Sequence, residues 1–410
     1  MKDNQAKYPQ LRFKGFTDPW VQRNLSDLAT FSKGKGYSKS DLVSDGFPAI
    51  LYGRMYTNYE SQIDDISDTF VADATDAVLS QTGDVIVPGS GETPEDIARA
   101  SNVNVSGIVL GGDINIIRPD TEKMDSTFLA LTISNGQQQT ELIKRAQGKS
   151  VVHLHNSDLK KVNVVAPSKD EQSAISSLFT QLDNLIAANQ RKLDLLKEQK
   201  KGYLQKMFPK NGAKVPELRF AGFADDWEER KLRDLLNKNS EKNKNLSVIN
   251  VESVSNKTGF TKQTDQFEDY SVASADLSNY YVIREKQFAY NPSRINVGSI
   301  AYKDLGDEIS VVSPLYVSFS TKKVLNDGFL WNWFKTASFD AQRQRLSEGG
   351  VRDTLSFNQL SEMNTMFPTY PEQEKIASFF KQLDDTIALH QRKLDLLKEQ
   401  KKGFLQNMFV

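Results

Sequence analysis

The stretch that decides the fold occurs twice in this chain, once in the middle and once at the end. Residues 190–208 read QRKLDLLKEQKKGYLQKMF and residues 391–409 read QRKLDLLKEQKKGFLQNMF, so 17 of 19 positions are identical at an offset of 201. A second pair lies upstream, where residues 9–20 read PQLRFKGFTDPW and residues 216–227 read PELRFAGFADDW. Solenoid repeats are only about 20–50 residues long, so this chain is a tandem duplication of a whole domain followed by a helix.

The duplicated tails predict two long helices. Segments 171–207 and 372–408 contain no proline and are rich in Leu, Lys, Glu and Gln, which favours helices of roughly 55 Å at about 1.5 Å per residue. Their apolar residues recur at alternating steps of four and three, the heptad spacing of a coiled coil. The seam residues that we expect to pair the two helices are Leu182, Ile186, Asn189, Leu193, Leu196, Tyr203, Leu383, Ile387, His390, Leu394, Leu397 and Phe404.

A helix of this length cannot leave a continuous apolar stripe in water, and the nearest matching stripe is its own duplicate. We therefore predict that the two helices pack within one chain as an antiparallel coiled coil. Asn189 and His390 interrupt the seam, where a polar group either sets the register or is solvated at the end of the paired region. The basic tails fit a solvated helix face better than a phosphate-binding track; they contain Lys197, Lys200, Lys201, Lys206, Lys398, Lys401 and Lys402.

Composition excludes several classes of protein. The 410 residues include no cysteine, which excludes disulfides, thiolate nucleophiles and cysteine-ligated metals. Lys and Arg number 52 and Asp and Glu number 53, a net charge of −1, so bulk charge alone will not bring the chain onto DNA. The first residues lack the apolar core of a signal peptide, and no stretch has the length of a membrane span, which predicts a cytoplasmic protein.

The two segments between head and tail predict compact domains of mixed α/β (α+β) class. Strand-like runs occur in the first at 84–87, 108–110, 114–117, 151–154 and 162–165, and in the second at 246–249, 309–312 and 316–319. Helical stretches are expected at 126–134, 137–144, 328–336 and 339–345. The predicted organisation is a first domain at 1–166, a central helix at 167–209, a second domain at 210–367 and a distal helix at 368–410.

No catalytic or metal site is predicted. Gly148-Lys149-Ser150 ends like a phosphate-binding loop, but Ile143 stands where the first glycine should be. His153 and His155 would lie on one face of a strand without a carboxylate cluster nearby in the sequence. A methyltransferase motif is absent as well, because Asn291-Pro292 is followed by Ser and Arg.

Polar, basic and aromatic residues do interleave in glycine-bearing segments of both domains. Arg and Lys can pair with guanine edges or phosphates, and Asn with adenine edges, so these segments are candidates for DNA contact. Ordinary surface loops have a similar composition, so each single residue has that simpler interpretation too. The candidates are Lys33, Lys35, Tyr37, Arg54, Tyr56, Ser90, Thr93, Lys149, Ser150, Ser293, Arg294, Asn296, Arg343, Arg345 and Arg352.

With the head PxLRFxGFxxxW, the pairs Glu171-Gln172 and Glu372-Gln373, and the tail KLDLLKEQKKG all present twice, the whole chain resembles the specificity subunit of type I restriction–modification systems. The resemblance implies that each middle is a target recognition domain for one half of a bipartite DNA site. It also implies that the paired helices act as a ruler and dock modification subunits, adenine-N6 methyltransferases that use S-adenosylmethionine. Restriction subunits that use ATP and Mg²⁺ would complete the assembly, and this chain would carry no cofactor and no catalytic activity.

Because the two middles differ in sequence, the resemblance leads us to expect two different half-sites separated by an unread gap. Four residues inserted at equivalent points of both helices should then lengthen that gap. The chain would work on DNA in the cytoplasm, at the nucleoid. Two other interpretations stay open at this point: a self-sufficient DNA-modifying enzyme, and a coiled-coil scaffold that binds only proteins.

Overall fold

The computed structural model describes residues 8–148, 151–210, 213–263, 276–347 and 354–410. The chain divides into two compact units, and neither unit contains the whole of a long helix. Unit 1 comprises Met1–Gln190 with Arg392–Val410, and unit 2 comprises Arg191–Gln391. Each unit thus contains the first part of one long helix and the last part of the other. The predicted division into two domains and two separate helices uses other boundaries than these two units and stays a prediction.

Both long helices are present where the sequence predicts them. The central helix spans Lys169–Lys206 and the distal helix spans Tyr370–Asn407, with 38 residues each. Each carries acidic residues in its first turn, which complement the partial positive charge of a helix N-terminus. No helix among the described residues combines the length and the apolar character needed to cross a membrane.

Unit 1 contains a five-stranded sheet, a four-stranded sheet and two separate strand pairs. Its strands are β1 (Val21–Asn24), β2 (Ala29–Lys33), β3 (Leu42–Val43), β4 (Phe47–Ile50), β5 (Gln62–Ile63), β6 (Phe70–Val71), β7 (Asp84–Pro88), β8 (Ser90–Gly91), β9 (Ser101–Val103), β10 (Val109–Leu110), β11 (Ile114–Pro119), β12 (Val152–His153) and β13 (Asn163–Ala166). Its shorter helices span Arg54–Thr57, Pro94–Ile97, Ser126–Ile133, Gly136–Arg145 and Asn156–Leu159.

The five-stranded sheet has the order β2-β11-β7-β9-β5, and the four-stranded sheet has the order β10-β4-β6-β3. In the larger sheet β11 pairs antiparallel with both neighbours, so that Ile117 lies opposite Phe31 on one side and Val85 on the other. All five residues of β7 are buried, which explains why Val85, Ile86 and Val87 are apolar in succession instead of alternating with polar residues, while the buried Asp84 pairs with Arg118. The pairs β1–β13 and β8–β12 are separate.

Unit 2 has a four-stranded sheet of order β15-β22-β19-β20 and three strand pairs, β14–β23, β16–β17 and β18–β21, whose ranges follow. The strands are β14 (Glu228–Lys231), β15 (Leu236–Lys238), β16 (Glu252–Ser255), β17 (Gly259–Lys262), β18 (Tyr281–Ile283), β19 (Gln287–Tyr290), β20 (Ile300–Tyr302), β21 (Ser310–Val312), β22 (Val317–Thr321) and β23 (Asn364–Phe367). Shorter helices span Asp327–Trp333, Ala337–Leu346 and Phe357–Ser361.

The mixed α/β class is confirmed, and one predicted strand is wrong. Residues 246–249 form no strand: Leu246 has a positive φ of 55° and Ile249 is 83% exposed. Alternating apolar and polar residues predict a half-buried strand only if a neighbouring strand covers the apolar side. Here nothing covers Ile249, so the alternation has no structural consequence.

Each core is centred on aromatic residues from the repeated head and tail. In unit 1, Trp20 packs edge-on against Phe128, and Phe409 lies against Phe128 and Phe179. In unit 2, Trp227 packs against Phe329, and Phe208 lies against Phe329 and Phe380, with ring-centroid separations of 5.7, 5.2 and 6.3 Å respectively. The chain just after each long helix is therefore anchored in the core of a unit.

Candidate nucleic-acid interface

The repeated head motif holds the start of each long helix. In unit 1, Arg12 donates to both carboxylate oxygens of Glu171 at 2.6 and 2.7 Å, and to the carbonyl of Asp18 at 2.7 Å. In unit 2, Arg219 donates to Glu372 at 2.7 and 2.8 Å and to the carbonyl of Asp225. The hydrogen bond to the glutamate raises the pKa of each arginine. We call the arginine–glutamate pair of each unit, Arg12 with Glu171 and Arg219 with Glu372, the head clamp.

The glutamine that follows each clamp glutamate fixes a neighbouring loop. Gln172 accepts from the amide of Asp125 at 2.9 Å and donates to the carbonyl of Pro167 at 3.0 Å. Gln373 makes the equivalent bonds in unit 2, accepting from the amide of Asn326 at 2.8 Å and donating to the Pro368 carbonyl at 2.9 Å. The Glu-Gln dipeptides thus belong to the frame that joins each long helix to the start of the helix Ser126–Ile133 or Asp327–Trp333.

Both units show the predicted antiparallel pairing of the two helices. In unit 1, Asp183 pairs with Lys401, and the ring centroids of Phe179 and Phe409 are 5.8 Å apart. In unit 2, Lys200 pairs with Asp384, the equivalent ion pair at the offset of 201. The predicted seam positions are all buried or half-buried; they are Leu182, Ile186, Asn189, Leu193, Leu196, Tyr203, Leu383, Ile387, His390, Leu394, Leu397 and Phe404.

Two details of the helices differ from the simplest expectation. Lys200 and Lys401 are half-buried in ion pairs with the other helix, so they belong neither to a solvated face nor to a phosphate track. Asn189 is only 7% exposed and donates to the carbonyl of Leu185 at 2.8 Å. It is therefore not a solvated position at the end of the pairing, and its role in setting the register stays a prediction.

In unit 1, the candidate loops meet at one end of the five-stranded sheet. This is the end where β2 and β7 finish and β11 begins. The Gly34 amide donates to the Ile114 carbonyl at 2.9 Å, and the Gly112 amide donates to Gly36 at 2.7 Å. A Cβ at Gly34 would lie 2.0 Å from the Gly111 carbonyl oxygen, so only glycine allows the two loops to approach this closely.

A second set of contacts brings the later loops to the same end. The pair β8–β12 places Ser90 opposite His153, with Ser90 Oγ and His153 Nδ1 3.1 Å apart. The Leu154 amide donates to the Gly89 carbonyl at 3.0 Å, and Asn156 donates to the carbonyl of Ser32 at 2.7 Å. Segments far apart in sequence therefore form one composite surface.

The predicted unit 1 residues have different environments on this surface. Lys33, Lys35 and Thr93 are exposed, and Tyr37 and Tyr56 are half-buried. Tyr37 donates to the carbonyl of Asp73 at 2.9 Å, and Thr93 caps the helix Pro94–Ile97. Lys149 and Ser150 lie outside the described residues.

Arg54 and Ser90 are corrections to the predicted set. Arg54 is 9% exposed and donates to Asp68 at 2.9 Å and to Glu60 at 2.8 Å, so two carboxylates of the same unit hold its guanidinium. Ser90 is 6% exposed and lies against His153. Both residues support the surface from within, so we do not assign base contacts to them.

The two histidines noted in the sequence are both exposed, but only His153 lies in a strand, because β12 ends there and His155 precedes the helix Asn156–Leu159. The rings of His153 and His155 are parallel, with centroids 6.3 Å apart. Within the residues that the structure describes, no three His, Cys, Asp or Glu side chains come together in a way that could hold a metal ion. Sequence reasoning did not list these histidines as candidates for DNA contact, although their position beside Ser90 makes them so.

In unit 2, the loop between β19 and β20 forms the matching surface. Ser293, Arg294 and Asn296 are all exposed on it. The loop ends at Gly298, whose φ of +85° favours glycine. The Leu355 amide donates to the Pro292 carbonyl at 3.0 Å, which is the unit 2 counterpart of the Leu154 to Gly89 bond. The candidate residues at 90–93 and at 293–296 therefore follow equivalent contacts in the two units.

The remaining unit 2 candidates lie elsewhere. Arg343 is 6% exposed and donates to Asp340 at 2.6 Å within its own helix, so it is a second correction of the same kind as Arg54. Arg345 is exposed and lines a separate cavity with Phe208 and Trp227. Arg352 lies outside the described residues.

Sequence reasoning missed a hairpin next to the unit 2 loop. Strands β16 and β17 pair antiparallel, and the turn between them brings Asn256 to 4.0 Å from a Cβ built at Gly298. Asn256, Lys257 and Thr258 are exposed at the tip. The signal was available, since a short polar turn ending in glycine stands between two strand-like runs.

Comparison with known proteins assigns the family. The profile of the type I restriction modification DNA specificity domain matches residues 17–198 and 224–399. The chain belongs to the type I restriction–modification specificity family. It is 20% identical over 407 residues to the type I restriction enzyme MjaVIII specificity subunit of Methanocaldococcus jannaschii, covering 95% of this chain and 91% of that protein.

A solved structure gives the same fold. The type I restriction–modification system S subunit from M. genitalium is similar with a TM-score of 0.64 at 14% identity, and the match covers 98% of this chain and 99% of that one. As a member of the specificity family, this chain is the DNA-recognition component of a type I system. Specificity subunits are the non-catalytic components of such systems. The enzyme and scaffold interpretations are not favoured.

Proposed function

We propose that each unit of this chain reads one half of an asymmetric, interrupted DNA site. The composite surface of unit 1 would read one half and the loop between β19 and β20 would read the other. The paired helices would set the length of the unread gap. Such an arrangement follows from the general relation between a duplicated reader and two half-sites at a fixed separation.

The observation that carries the proposal is that one frame holds two different loops. The head clamp and the glutamine contacts repeat almost atom for atom in the two units. At the equivalent loop, unit 1 exposes Thr93, whereas unit 2 exposes Arg294 and Asn296. Arg favours guanine and Asn favours adenine in the major groove, so the two half-sites should differ in sequence.

The partners and cofactors are part of the same proposal. Modification subunits that use S-adenosylmethionine would dock on the paired helices, and restriction subunits would supply ATP- and Mg²⁺-dependent activity. This chain would bind neither cofactor. Its net charge of −1 supports weak DNA binding by the chain alone, with the modification subunits contributing much of the phosphate contact. The assembly would act in the cytoplasm, where the nucleoid DNA is.

The test replaces one exposed side chain in the unit 2 loop. We expect Arg294→Ala to relax base preference in one half of the methylated motif and to leave the other half unchanged. Each good bidentate contact contributes about 1–3 kcal/mol of discrimination. Lys244→Ala, an exposed lysine of the same unit outside the loop, is the matched control. An unchanged motif in Arg294→Ala would remove this loop from the reading surface, and changes in both halves would contradict independent reading by two units.

A further inference from the structure

Unit 2 contains a cleft of about 930 Å³ at the end of the central helix. The last turns of that helix, the segment that follows it and the start of the helix Ala337–Leu346 line it. Its apolar lining consists of Leu204, Phe208, Pro209, Ala337 and Ala341. Its basic lining consists of Lys197, Lys200, Lys201, Lys206, Lys210 and Lys335. We call it the lysine cleft.

Positive charge in the lysine cleft is only partly compensated. Glu217 also lines the cleft and pairs with Lys210. Asp384 pairs with Lys200 and lies 3.9 Å from Lys335. Six lysines against these two carboxylates leave a net positive charge, to which Lys335 contributes only in part because its pKa is lowered to about 7. A cleft with this balance and an apolar lining suits an acidic ligand that also has apolar side chains.

Lys335 shows the effect of this crowding. Its side chain is 27% exposed, and its Nζ lies 4.2 Å from the centre of the Trp331 ring. Burial, together with the charge of Lys200, lowers the pKa of Lys335 to about 7. One carboxylate, Asp384, therefore serves two ammonium groups, and a further carboxylate in the cleft would favour the charged form of both.

The duplicate unit shows that the lysine cleft is not a by-product of the frame. At the offset of 201, Ser134 stands in place of Lys335 and Asn407 in place of Lys206. The helix of unit 1 that corresponds to Ala337–Leu346 is also covered at its start, because the Gln137 amide donates to the Val410 carbonyl at 3.0 Å. Unit 2 thus has lysines that the repeat does not require.

We propose that the lysine cleft binds an acidic, amphipathic segment of the modification subunit, an inference that rests on the proposed function. A protein segment fits better than DNA because the lining is partly apolar and because the cleft lies on the side of unit 2 that contacts the distal helix. The loop between β19 and β20 enters β20 at Ile300, whereas Asp304, just past the other end of that strand, pairs with Lys381 of the distal helix. The cleft lies on the same side, because Lys200 in its lining pairs with Asp384 of the distal helix.

The experiment compares two double charge reversals in the full chain. Lys197→Glu with Lys201→Glu changes the cleft, and Lys244→Glu with Lys323→Glu makes the same net change on exposed lysines of unit 2 outside it. Binding to the purified modification subunit of the same system is measured at low and at high salt. We expect the cleft variant to bind at least about tenfold more weakly at low salt, with a smaller salt dependence, and the control to stay close to the unaltered chain.

Three outcomes are separable. If both variants bind the modification subunit as the unaltered chain does, the inference is wrong. If assembly is intact but the assembled complex of the cleft variant binds DNA more weakly, the cleft is a phosphate site and the inference is equally wrong. If the unaltered chain itself does not bind the modification subunit, the proposed function fails first, and that result is visible before any variant is compared.

Discussion

Replacement of Arg219 by alanine should show how much the head clamp stabilises unit 2. The carboxylate of Glu372 is fully buried, and Arg219 provides two hydrogen bonds to it while its own side chain is 15% exposed. Arg219→Ala would leave that charge buried without its partner. Breaking a buried ion pair in this way costs about 3–5 kcal/mol, which for a unit of this size lowers Tm by roughly 6–20 °C.

The assay is urea unfolding followed by tryptophan fluorescence, because three of the four tryptophans, Trp227, Trp331 and Trp333, lie in unit 2. Arg284→Ala is the matched control. Arg284 also donates twice to a glutamate, Glu241, but both side chains are nearly half exposed, so the loss should stay below about 1 kcal/mol.

A double variant separates the lost contact from the unpaired charge. Arg219→Met combined with Glu372→Met removes both charges and keeps apolar volume, so it should recover much of the stability that Arg219→Ala loses. The reasoning is refuted if Arg219→Ala costs no more than Arg284→Ala. It is also refuted if the double variant is less stable than the single one, since the buried unpaired carboxylate would then not be the cause.

Three further results are expected. Because the pKa of Lys335 falls from its usual 10.5 to about 7 in the folded protein, the unfolded chain binds more protons between these values. Stability should therefore rise with pH across that window more steeply in the unaltered chain than in Lys335→Met, as urea midpoints at pH 6.5 to 10 would measure. Gly34→Ala, whose Cβ would meet a backbone oxygen at 2.0 Å, should abolish reading of one half-site, whereas Gly53→Ala, with nothing closer than 3.7 Å, should not. Duplicating RKLDLLK after both Gln190 and Gln391 adds one heptad, about 10 Å, to each helix and should lengthen the unread gap by about 3 base pairs; an unchanged gap would contradict the ruler.

The repeated frame could be predicted from the sequence because its signals are periodic and local. Two heptad seams at one offset predicted both the helices and their pairing, and burial of Leu193 and Leu394 agrees with it. The loop positions also followed from composition, since Ser293, Arg294 and Asn296 share one exposed turn.

The environment of individual arginines could not be predicted in the same way. Arg54 and an exposed reader such as Arg294 have the same local chemistry in sequence. Only the fold places Asp68 and Glu60 around the guanidinium of Arg54. Among the described residues, no carboxylate forms an ion pair with Arg294. The composition of the two units was equally hidden, because Phe409 enters the core of unit 1 from the far end of the sequence.

The central claim is that this chain selects the DNA sequence on which a separate enzyme acts. The most direct measurement is long-read methylation mapping of genomic DNA from cells that express the modification subunit with and without this chain. The account predicts N6-methyladenine at a single interrupted, asymmetric motif only when both are present. Methylation produced by this chain alone, or the same motif with the modification subunit alone, would contradict it.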